Sequence, residues 1–174
     1  MVELNTKYKI GKRRFGLINW IGFYSLYQKE TLRFLIVAGQ TIVGPVLVGI
    51  LFLIVLSIAW GDARGEVLGL PFIEFLAPGL ISMQVIQQAF SHSSSSILMG
   101  KVMGNIVDLI GSPLSASEVT LGIILASVTR SFIISIVSVI SFNFFVNINI
   151  LNYSYFFTYL FLSSFLLGSL GFIA

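Results

Sequence analysis

From Leu35 through Trp60 no residue carries a charge. At about 1.5 Å of rise per residue, a helix over that run exceeds the roughly 30 Å hydrocarbon core of a bilayer, so it is expected to tilt or kink, with Pro45 as the expected kink. Three further runs, about residues 72–90, 119–146 and 153–174, are long and mostly apolar. Together they predict an all-α, polytopic membrane protein with four helical spans. The chain is 56% hydrophobic and 10% charged, where a soluble domain carries about a quarter charged residues, so its helices lack the polar outer face that water requires.

Charge placement sets the expected orientation. Of the basic residues, Lys7, Lys9, Lys12, Arg13, Arg14, Lys29 and Arg33 all precede the first span. Basic residues flanking a span are retained on the cytoplasmic side, which predicts a cytoplasmic N-terminus and explains the net charge of +3 without nucleic acid. The start does not read as a cleaved signal, because a long aromatic segment and a full-length span follow it. In that segment, residues 20–35, Trp20, Phe23, Tyr24, Tyr27 and Phe34 recur at helical spacing opposite Ser25, Gln28, Lys29 and Arg33, which predicts an amphipathic helix in the cytoplasmic headgroup layer.

The remaining runs differ in polarity. Residues 72–90 carry Glu74, Pro78, Gly79, Gln84, Gln87 and Gln88, so this span is expected to face protein or water on one side, with a break at Pro78-Gly79. Residues 91–118, by alternation a cytoplasmic loop, contain a serine run and an apolar face from Met99 to Ile110, read as a short amphipathic helix stopped at Pro113. The third span carries Arg130, which either snorkels to the interface or faces the bundle interior. The fourth carries no charge, and the absence of a basic anchor after it predicts a chain that is part of a longer protein.

Several chemistries lack their residues. There is no cysteine, hence no disulfide or thiolate site, and His92 has no acidic neighbour in sequence, which reads as a loop histidine. Gly100-Lys101 lacks the glycine and hydroxyl of a phosphate loop, so the chain is not expected to bind ATP. No metal or cofactor is expected.

Four segments carry a family resemblance: Leu26-Tyr-Gln-Lys-Glu-Thr-Leu-Arg33, Gln40-Thr-Ile-Val-Gly-Pro45, Phe75-Leu-Ala-Pro-Gly-Leu80, and Asp108-Leu-Ile-Gly-Ser-Pro-Leu-Ser115 followed by Glu118. In this order they resemble the ABC-2 type permeases, membrane subunits of bacterial ABC exporters, over nearly the whole chain. The resemblance implies one transmembrane domain over residues 1–174, with 1–35 interfacial and 36–174 the core of a six-span, plasma-membrane permease that forms homodimers among membrane lipids. It implies a separate ATP-binding subunit that binds ATP and magnesium, making this chain a transport subunit and not itself an enzyme. Matching segments place the contacts to that subunit on Lys29, Glu30, Arg33, Lys101, Asn105, Asp108, Ser112, Pro113 and Glu118. Candidates for lining or hinging a pathway are Gln40, Pro45, Pro78, Gly79, Gln84, Gln88 and Arg130. The alternative is an ion-coupled secondary transporter working through Glu74 or Arg130; a third reading is a scaffold whose glutamines only join helices.

Overall fold

A computed structural model describes residues 18–67, 69–146, 148, 150 and 152–174, and the side chains of these except 62–64. The basic cluster at 7–14 lies outside the described residues, and of the expected outer turn only Ile148, Ile150 and Asn152 lie within them. The chain forms helix α1 (Trp20–Ile36), a π-helical turn (Gly39–Val43), α2 (Gly44–Arg64), a minimal hairpin β1 (Glu66–Val67) and β2 (Leu70–Pro71), then α3 (Phe72–Val102), α4 (Ile106–Gly111), α5 (Ala116–Asn143) and α6 (Tyr153–Ile173). The hairpin pairs Glu66 with Pro71 and Val67 with Leu70, and Gly69 takes the left-handed conformation its turn requires.

The fold is a polytopic helical membrane protein. Among the described residues, three helices are long and apolar enough to cross a bilayer: Gly39–Gly61, Ala116–Asn143 and Tyr153–Ile173. The run expected as the second span lies in α3, which is the most polar of the long helices. Its neighbours are α2, α5 and α6, and Ala77, Val85 and Ala89 are fully buried among them.

Three expectations need correction. The break at Pro78-Gly79 does not occur: α3 runs through Pro78, which forfeits one bond near the helix start while Ala77 and Ile81 hold the helix on the core side. The serine run is not a loop; α3 continues through it to Val102. Serine tolerates this because its hydroxyl returns to a carbonyl one turn back, as Ser94 does to Ser91 (3.4 Å) and Ser95 to His92 (3.1 Å). The irregularity expected at Pro45 falls one turn earlier, in the π-turn. Proline cannot donate to the carbonyl four residues back and its ring crowds that carbonyl, so the preceding turn widens. There the Thr41 hydroxyl bonds the carbonyls of Phe34 (2.9 Å) and Val37 (3.0 Å).

Close packing uses small residues. Ser127, Ser131, Ser135 and Ser138 line the buried face of α5, with Ser93 on α3 and Ser164 and Gly168 on α6. At Gly171 an added Cβ would lie 2.5 Å from the Phe90 carbonyl oxygen, so α6 meets the α3 backbone there. This is how helices associate in lipid, where backbone approach and dispersion replace the hydrophobic effect. At the far end of the bundle, Leu53, Ala77, Ile81, Phe142 and Val146 form the apolar core.

Candidate substrate cavity and coupling face

The amphipathic helix expected over residues 20–35 is α1, but it is docked on protein along one side. Leu26 packs onto Gly122, and Tyr27 Oη meets Thr129 Oγ1 at 2.8 Å. Asn19 caps the helix by accepting from the Gly22 amide (3.0 Å), while its own amide donates to Glu118 Oε1 (2.6 Å) and its side chain to the Pro113 carbonyl (3.4 Å). Glu118 also closes a capping box with Ser115: the Ser115 amide donates to Oε2 (2.6 Å) and the Glu118 amide to the Ser115 hydroxyl (3.4 Å). One carboxylate therefore ties the start of α1 to the start of α5.

Between α1, the π-turn, α3, α4 and the first half of α5 lies a cavity of about 760 Å³. Arg130 projects into it, so its choice between snorkelling and facing inward falls to the interior. Arg130 Nη2 donates to Gln88 Oε1 at 2.6 Å, and Nη1 lies 3.4 Å from His92 Nδ1. His92 is 1% exposed and stands edge-on to Phe34 at 5.8 Å; the loop histidine of the sequence reading is a buried helical one. On the facing wall, Glu30 accepts from the Ser96 hydroxyl (2.8 Å) and pairs with Arg33 (3.1 Å).

The residues singled out from sequence divide among several places. Lys29, Glu30, Arg33, Gln40, Pro45, Gln88, Asn105 and Arg130 line the cavity. Gln84 does not: it is buried, accepts from Ser138 (2.5 Å) and donates to the Pro45 carbonyl (3.2 Å), joining α2, α3 and α5. Pro78, Gly79 and Gln87 are exposed elsewhere on α3. Glu30 and Glu118 are buried within the chain, whereas Lys101, Asn105, Asp108 and Pro113 are exposed. Ser112 ends α4 by donating to the Leu109 carbonyl (2.6 Å).

Beside the cavity mouth, α4 and the turn before it form an open face. Val102, Met103, Val107 and Ile110 are each about 70% exposed or more, alongside Lys101 and Asp108. The apolar face predicted as one helix over 99–110 is split, with Gly104 in a left-handed conformation between α3 and α4.

Sequence reasoning did not find Asn19, Thr41 or Ser96. Asn19 sits immediately before the first helical residue, where an N-cap is legible; Ser96 was hidden by reading its run as a loop. Among the described residues no group of three His, Asp or Glu side chains is placed to hold a metal ion.

A profile of the ABC-2 type transporter family matches residues 21–174, taking in α1, the cavity and every long helix. The chain belongs to the ABC-2 type transporter family. It is similar to the inner membrane transport permease YadH of Escherichia coli K12, 31% identical over 117 residues that make up 67% of this chain and 46% of the relative. The YadH permeases of Escherichia coli O157:H7 and Shigella flexneri match to the same extent. The chain thus spans about half the length of these relatives. No solved structure matches it. Membership of the ABC-2 type transporter family assigns the chain to the membrane part of a transporter.

Proposed function

We propose that this ABC-2 subunit sits in the bacterial inner membrane with its α1 and α4 end in the cytoplasm, where a separate ATP-binding subunit docks on α4 and drives export. The observation that carries this reading is the α4 face. A six-residue helix held at one end by the left-handed Gly104 and at the other by the Ser112-Pro113 corner presents apolar and charged side chains outward. Such a compact element suits the transmission of a rocking motion into α3 and α5, between which it lies in the chain.

In this reading Lys101, Asn105, Asp108 and Pro113 meet the partner, and Lys29 contributes from α1. Glu30, Arg33 and Glu118 act from inside, keeping α1 in step with α3 and α5. ATP and magnesium belong to the partner subunit. A second copy of the permease completes the pathway, and alternating closure of the ATP-binding subunits exposes the cavity to the two sides in turn.

The test is co-purification from membranes in mild detergent. An ATP-binding subunit is expected to accompany the permease, and Asp108→Arg or Pro113→Ala is expected to reduce its recovery at least fivefold while the permease remains folded. ATP hydrolysis by the isolated permease, or assembly indifferent to both substitutions, would overturn the proposal.

A further inference from the structure

Charge around the cavity does not balance. Among the described residues, Lys29, Arg33 and Arg130 line it against a single carboxylate, Glu30, a formal excess of two positive charges. Glu30 is already engaged by Arg33 and Ser96. Arg130 therefore has only neutral neighbours at hydrogen-bond distance, Gln88 and His92. Among the described residues it forms no ion pair.

The surplus extends to individual protons. Arginine has donors only, so the contact with Arg130 makes His92 Nδ1 the acceptor and leaves the ring proton on Nε2. His92 Nε2 and Arg130 Nε are both buried and without an acceptor. A half-buried cation with spare donors inside the bundle calls for an acceptor that also brings negative charge; water supplies the first and not the second. A guanidinium fork suits the paired oxygens of an oxyanion.

We infer that the cavity is a binding site for an anionic group of the phosphate class, held by Arg130 with Arg33, on a ligand that also has an apolar body. The second part follows from size and lining. About 760 Å³ lies within the range of small-molecule sites and far exceeds one phosphate. The lining also includes the apolar side chains of Phe34, Met99, Met103 and Ile106. The inference goes beyond the transport reading and is independent of any ATP-binding subunit.

Binding is measured on the purified permease without a partner, in two arms. One follows thermal unfolding in detergent as inorganic phosphate is added at constant ionic strength. The other compares retention of phosphatidylglycerol and phosphatidylcholine on protein released from mixed-lipid nanodiscs. Specific stabilisation by phosphate assigns the site to a soluble anion or an exposed headgroup; preferential retention of phosphatidylglycerol alone assigns it to a membrane lipid. In either case Arg130→Gln is expected to weaken the response at least tenfold, and Arg130→Lys less. Ser95→Glu, which adds a carboxylate to the lining, is expected to abolish it, and carries the test if Arg130→Gln does not fold. Absence of both responses, or a response undiminished in the folded variants, overturns the inference.

Discussion

Gln84 and Gln88 lie one turn apart on α3, and their partners separate two roles that composition alone leaves merged. Gln84 satisfies Ser138 and the Pro45 carbonyl inside the bundle; Gln88 holds the Arg130 guanidinium at the cavity wall. Gln84→Leu is expected to cost about 1–2 kcal/mol, since interhelical hydrogen bonds in membranes are worth about 0.6 kcal/mol each on average and the abandoned groups stay buried. Reversible unfolding in mixed micelles reads that loss. Gln88→Leu is expected to change stability by less than half as much and to alter transport instead. The amide types and the four-residue spacing were legible in the sequence. Which amide faced which neighbour was not, because the side-chain partners come from α2 and α5, remote in the chain.

At the scale of elements, apolar run length located the π-turn with α2, α5 and α6 to within a few residues, because lipid fixes the length of an uncharged helix. It failed where polarity hides inside a helix. The serine run and His92 read as loop by composition, yet α3 passes through them, since the Ser94 and Ser95 hydroxyls return to their own backbone, Ser96 reaches Glu30 and the imidazole finds Arg130 across the bundle. The cavity was legible only as a set of candidate residues, for its walls are assembled from segments far apart in the chain. The contact between α6 and α3 gives a prediction here. Gly171→Leu has no space against Phe90 and is expected to push the end of α6 outward, lowering the midpoint of thermal unfolding by several degrees, whereas Gly79→Leu, with open space around it, is expected to leave the midpoint unchanged within error.

For the whole molecule the testable property is orientation. The natural absence of cysteine allows single probes to be placed without background. Ser112→Cys is expected to resist an impermeant maleimide added to intact cells and to react after permeabilisation; Asn152→Cys is expected to react in both. The reverse pattern would overturn the proposed topology. A last consequence concerns the π-turn before Pro45. It holds one residue more than an α-helix of the same rise accommodates, and each helical residue advances the helix face by about 100°. The surplus residue therefore sets the azimuth of α2 about its own axis relative to the residues just before the turn. If the turn were regularised, Gly49, which meets Gln84, and Leu53, in the apolar core, would swing by about 100° relative to Val37 at the cavity wall. The chain thus has, at residues 39–43, an angular adjustment that selects which stripe of α2 looks toward α3.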